Sequence, residues 1–188
     1  MSSQQRKLNR RLFKQAEGYL ELATLFDDQF ILDQNRKTDL ARGCIATLDR
    51  IVNPGTRESR VLYLKGQALR LAEEYDEALE ALEQSFELDS SNIHTCLAMA
   101  WCFKRKQQVG LAVEAMQKAL AINNTSGIAH YNMSCYLALL KQNEMALAHL
   151  AKAIEIDPVY RDLAVAESDF DPIRDDPGFQ DKTVPVAS

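Results

Sequence analysis

Residues spaced 34 apart in this chain agree with one another, and a repeat of that length leaves few folds open. Ala78, Ala112 and Ala146 form one such column. Ser85, Ala119 and Ala153 are small, as are Gly66, Ala100 and Ser134. Leu82, Met116 and Leu150 are large and apolar; so are Leu69, Phe103 and Leu137, and Leu88, Ile122 and Ile156. Asp89, Asn123 and Asp157 close each unit with a polar residue. A period of roughly 20 to 50 residues marks a supersecondary unit that stacks on copies of itself.

Within a unit the spacing is helical. Leu62, Gly66 and Leu69 step by four and three along a first helix. Ala78, Leu82, Ser85 and Leu88 do the same along a second, after a turn near Glu73 to Asp76. No proline falls between Pro54 and Pro158, as expected of consecutive helices with short loops. Small residues let two helices cross closely while large ones interdigitate around them. Each hairpin leaves an apolar face that only a neighbouring hairpin can bury, so the expected architecture is an all-α solenoid.

The pattern resembles the tetratricopeptide repeat over residues 59–92, 93–126 and 127–160, with the second-helix signature clearest at Ala146, Leu150, Ala153 and Pro158. The family's aromatic near the start of the unit is replaced by Leu62, Cys96 and His130, and its terminal proline is kept only at Pro158, with Ser90 and Asn124 elsewhere. The resemblance implies a right-handed superhelical solenoid of antiparallel helix hairpins. It would hold three regular repeats (59–158), a divergent N-terminal hairpin (1–58) and a capping helix with a closing segment (159–180).

One period upstream, Cys44, Ile45, Leu48 and Val52 fall on second-helix positions, but the window Leu25 to Thr38 is too polar to be their partner. A displaced longer helix from about Gln5 to Ile31, carrying Leu12, Ala16, Tyr19, Ala23 and Phe26, takes that role. Beyond Pro158, a short helix over Tyr160 to Glu167 can cover the last repeat. Asp171-Pro172 and Asp176-Pro177 each place a capping residue before a proline, with Phe170, Ile173 and Phe179 as apolar pegs. This run resembles the end-of-group segment that closes tetratricopeptide arrays in many bacterial proteins. The tail 181–188 is expected to be disordered.

Composition narrows function. With 46% apolar residues, 26% charged residues and a net charge of -5, the chain has material for a core and lacks the basic surface of a nucleic-acid binder. The longest apolar run, Leu97 to Phe103, is far short of the ~20 residues of a membrane-spanning helix. Cys44, Cys96, Cys102 and Cys135 form no metal-binding spacing, and His94, His130 and His149 are scattered, so buried reduced thiols and a cytoplasmic location are expected. No phosphate loop, nucleophile elbow or zinc motif is present, so neither an enzyme nor a cofactor is expected. The basic cluster Arg6, Lys7, Arg10, Arg11 and Lys14 reads as a solvated helix end.

In the family that the chain resembles, first helices line a concave groove. The stripe beside the packing face carries Arg60, Tyr63, Gln67 and Arg70 in the first regular repeat. It carries His94, Leu97, Trp101, Lys104 and Arg105 in the second, and Ile128, Tyr131, Asn132, Cys135 and Leu139 in the third. Aromatics with a basic rim are the residue types enriched at binding hot spots. The resulting expectation is a protein-interaction scaffold for a peptide or protein with acidic and apolar residues, with self-association left open. The alternative is a chaperone of secreted apolar proteins, resembling type III secretion translocator chaperones and resting on Ile128, Tyr131 and Leu139. The two-carboxylate clamp of tetratricopeptide co-chaperones is absent: Tyr63, Gln67, Ala98, Ile128 and Asn132 stand at its positions.

Overall fold

A computed structural model describes residues 2–25 and 33–184. Among them every regular element is helical: α1 (Ser3–Leu25), α2 (Gln34–Leu48), α3 (Glu58–Leu71), α4 (Tyr75–Leu88), α5 (Ile93–Arg105), α6 (Val109–Ile122), α7 (Gly127–Leu139), α8 (Asn143–Ile156), α9 (Val159–Ala166) and α10 (Pro177–Thr183), with 3-10 helices at Gly55–Arg57 and Ser168–Ile173. The chain forms two compact units, Met1–Cys102 and Phe103–Ser188.

In the first unit α1, α2 and α3 share a core of Ala16, Ala41, Cys44, Leu48, Leu64 and Ala68. Asp33 caps α2 by accepting a hydrogen bond from the Arg36 N–H, and Val52, expected on that helix, lies beyond its end and is exposed. The part of the expected first helix from Phe26 to Ile31 lies outside the described residues. Helices α3 and α4 form a hairpin in which a Cβ on Gly66 would sit 2.6 Å from Leu82 Cγ, so only glycine allows that crossing. The Ser85 hydroxyl, in the small-residue column, donates to the Ser59 carbonyl and ties α4 to the start of α3.

The link between the two helices of each repeat is tighter than the sequence suggests, spanning 72–74 in the first. Glu73, Gln107 and Lys141, one per repeat, adopt left-handed backbone with φ of 63°, 60° and 57°. The following residue's N–H reaches back to Leu69, Phe103 or Leu137, and the left-handed residue's own N–H to Arg70, Lys104 or Ala138. This pair of bonds is a Schellman cap, which usually uses glycine at the left-handed position. Where each unit ends, Asp89, Asn123 and Asp157 accept from the backbone N–H two residues ahead, at Ser91, Thr125 and Val159. Chemically different residues therefore make the same turn at the same phase.

In the second unit α7 is buried along nearly all its length, and the C-terminal segment supplies part of its cover. Phe170, Ile173 and Phe179 are buried there, with Phe170 against both Tyr131 and Phe179. The caps differ from the sequence reading at one place. Asp176 caps α10 through the Gly178 N–H, but Pro172 lies inside its 3-10 helix. The cap of that helix is Glu167, while Asp171 pairs with Arg174 at 2.7 Å. Residues 181–183 of the expected disordered tail are instead helical, because α10 continues through Thr183, where the Thr183 hydroxyl donates to the Phe179 carbonyl and Arg161 Nε to the Lys182 carbonyl; residues 185–188 lie outside the described residues.

An arginine and aromatic ladder as the candidate binding site

On α3 the positions 60, 63, 67 and 70 recur at three, four and three residues, which aligns their side chains along one face. The Arg60 guanidinium carbon stands 5.3 Å from the Tyr63 ring centroid, and its Nη2 lies 3.3 Å from Glu17 of α1. Gln67 Nε2 donates to the Tyr63 hydroxyl oxygen at 2.8 Å, and Gln67 Oε1 accepts from Arg70 Nε at 2.9 Å. Arg70 in turn stacks 4.7 Å from the Trp101 ring, whose other neighbour is Tyr75, edge-on at 5.7 Å. An ion pair, two cation–π contacts, two hydrogen bonds and an aromatic contact thus link Glu17 to Tyr75, all within the first unit.

Each link fixes its neighbour. Because Tyr63 Oη accepts from Gln67, its own proton is directed elsewhere. Because Arg70 spends only Nε on Gln67, both terminal nitrogens of its fork keep their hydrogens for an acceptor. Tyr63, Gln67, Arg70 and Trp101 are partly buried and Arg60 is exposed, so the ladder is a surface feature held from below. His94 is exposed and Leu97 partly buried on α5. Tyr75 and Glu17 escaped sequence reasoning: the first was assigned to a turn, and the second sits on a helix with no place in the repeat register.

The second unit treats its predicted residues differently. Ile128 and Arg105 are exposed and Asn132 is partly buried. Tyr131 and Cys135 are buried, which corrects their expected place on an open groove. Tyr131 stacks on Tyr160 at 5.1 Å and meets Phe170 edge-on at 6.0 Å. Burial pushes its hydroxyl pKa up, and the neighbouring Cys135, Glu167 and Asp169 add to the effect. Burial likewise raises the Cys135 thiol, then Asp169 and Glu167. Lys104, expected on a basic rim, places its ammonium 2.7 Å from the nearly buried Asp169 carboxylate, so its charge is already answered.

All four cysteines are buried free thiols, and burial lifts Cys44 to about 12. Two histidines that look scattered in sequence meet at 2.9 Å, His130 Nδ1 to His149 Nδ1, with His130 Nε2 on the Asn124 carbonyl. Among the described residues no group of three or more His, Cys, Asp or Glu could hold a metal ion, and no helix is long and apolar enough to cross a membrane.

Helix hairpins in a 34-residue register, closed by the same two turns each time, define a tetratricopeptide repeat protein. The tetratricopeptide repeat family model matches residues 59–92 and 128–160, so the chain carries tetratricopeptide repeats there. Among solved structures it is similar to the crystal structure of MamA (17% identity, 80% of this chain and 86% of that one, TM-score 0.65). It is also similar to YrrB, a TPR protein with an unusual peptide-binding site (18% identity, 88% and 79%, TM-score 0.61). A third is the first TPR of Spaghetti (RPAP3) bound to HSP90 peptide SRMEEVD (20% identity, 60% and 94%, TM-score 0.54). At these identities the likeness is one of fold. No curated protein matches the chain by sequence.

Proposed function

We propose that this chain is a non-enzymatic protein-interaction scaffold that binds a peptide or protein segment on the ladder of α3 and α5. The observation that carries the reading is the unbroken run from Arg60 to Trp101, in which two guanidiniums each lie over an aromatic ring. A guanidinium held in place forms new hydrogen bonds at little cost in side-chain entropy, and its planar fork matches a carboxylate. The ring edges beside it offer apolar surface. The partner is therefore a segment with acidic residues next to apolar ones. That the fold recurs in YrrB, with its peptide-binding site, and in a Spaghetti domain holding an HSP90 peptide supports binding of a peptide segment. The residues at the clamp positions argue against the same chaperone peptide here. Burial of Tyr131 and partial burial of Leu139 leave Ile128 as the exposed residue of the three behind the chaperone alternative, so the scaffold reading is favoured.

The test is an array of short peptides in which acidic and apolar content varies independently, probed with the parent protein, Trp101→Ala and Arg70→Ala. Capture should follow peptides that combine both properties. Trp101→Ala should weaken it by ~2 kcal/mol, the scale of an interface anchor, with helicity unchanged. Equal capture by parent and Trp101→Ala would refute the site.

A further inference from the structure

The basic cluster on α1, which the sequence presents as a solvated helix end, borders a cavity that the ladder does not use. Arg6, Arg10 and Phe13 fall on one face of α1, and Ile51, Arg57 and Val61 approach that face from the segment entering α3. They enclose about 250 Å³. Liquid water takes about 30 Å³ per molecule, so the space holds roughly eight waters, about the size of one large side chain. Its wall is fixed. Asn9 Nδ2 donates to the Val52 carbonyl at 2.7 Å while Asn9 Oδ1 accepts from Gln5, pinning α1 to the loop. Arg57 lies over the Phe13 ring at 5.7 Å.

The electrostatics of the site run against those of the chain. The protein carries a net charge of -5, yet three arginines and no carboxylate line this cavity. Arg6, Arg10 and Arg57 make no ion pair among the described residues. The floor, Phe13, Ile51 and Val61, is partly buried and apolar. A ligand must then bring an apolar group for the floor and negative charge on either side for the rim. A flat anionic surface could reach the rim but not the floor, and so could a nucleic-acid backbone.

We propose that this cavity is a second peptide site, which takes an apolar side chain flanked by aspartate or glutamate side chains. The site is independent of the ladder: no residue is shared. Acidic flanks meet three arginines that make no ion pair among the described residues, and the apolar residue displaces water from Phe13 and Val61.

The test uses a fluorescein-labelled peptide, capped at both ends, with two aspartates on each side of a leucine, and follows anisotropy with the full-length Trp101→Ala chain, in which the ladder lacks its anchor. Binding should saturate, weaken steeply as salt rises from about 0.05 to about 0.5 M, and fall at least tenfold in Arg10→Gln combined with Arg57→Gln. Because the ladder loses its Trp101 anchor in this background, binding that survives there and is lost with the arginine pair belongs to the cavity. Replacing the aspartates by asparagine, or the leucine by serine, should each remove most of the affinity. A peptide with a free C-terminal carboxylate and no acidic side chains should bind weakly. The two arginines are exposed, and unchanged thermal melts of the variant establish that any loss is local. The proposal is overturned by absence of binding, by affinity indifferent to the arginine pair, or by equal affinity for the asparagine peptide. Association with phosphatidylserine vesicles or duplex DNA in place of the peptide would overturn it too.

Discussion

Thr95 is buried on α5 with its hydroxyl unpartnered among the described residues, whereas the buried Ser85 and Thr47 hydroxyls each reach a carbonyl. A buried polar atom without a partner costs about 1–3 kcal/mol, and an isosteric apolar group removes that cost. Thr95→Val should therefore stabilise the protein by about 1 kcal/mol in urea titrations; a lower midpoint would show that the hydroxyl has a partner after all. The histidine pair gives a pH dependence. The Asn124 carbonyl can only accept, so His130 carries its proton on Nε2 and its Nδ1 accepts from His149. Burial first, then His130 and Lys152, lower the His149 pKa below its ordinary 6.5. The unfolded chain thus binds this proton more readily than the folded one. The contribution of His149 is fully present above about pH 6.5 and is lost as pH falls through that value to the lower folded pKa. Melts taken from pH ~7.5 down to ~5 should show a loss that His149→Gln lessens; an identical slope in the variant would contradict it. Neither feature is legible in the sequence, because both depend on which groups meet across helices.

The helices themselves were legible. Seven columns at constant phase and the spacing of Leu62, Gly66 and Leu69 lead to hairpins from the sequence alone. The place of the turn was legible too, but its left-handed geometry was not, because those positions hold Glu73, Gln107 and Lys141 where glycine would have announced it. A left-handed non-glycine residue costs roughly 1–2 kcal/mol, and glycine's greater freedom in the unfolded chain offsets ~0.4–1 of that. Gln107→Gly should raise stability by about 0.5–1 kcal/mol, read from denaturant midpoints. A destabilised variant would mean that the Gln107 side chain contributes more than its backbone strain removes. The cavity under Arg10 and Arg57 was hidden for a related reason: its walls come from one helix and a connection that no periodic pattern places together.

At the scale of the whole molecule, the C-terminal segment buries part of what the sequence assigned to a groove. Tyr131 and Cys135 sit at the right register, but a helix as uniformly apolar as α7 does not reveal which face will be covered. Phe170 and Tyr160 cover Tyr131, and Asp169 holds Lys104. A chain ending after Pro158 loses these contacts and exposes an apolar helix, so it should self-associate or melt at lower temperature, measured by light scattering and circular dichroism. A truncated monomer with undiminished melting temperature would remove the capping role. The ladder is different, since its residues meet within one unit and stay at the surface. Its most direct measurement uses the chain's single tryptophan, Trp101. In the free protein its emission should be open to acrylamide quenching, and an acidic, apolar peptide captured on the array should shift it to the blue and shield it. Emission that is already blue-shifted, resists the quencher and ignores saturating peptide would contradict a binding role for the ladder.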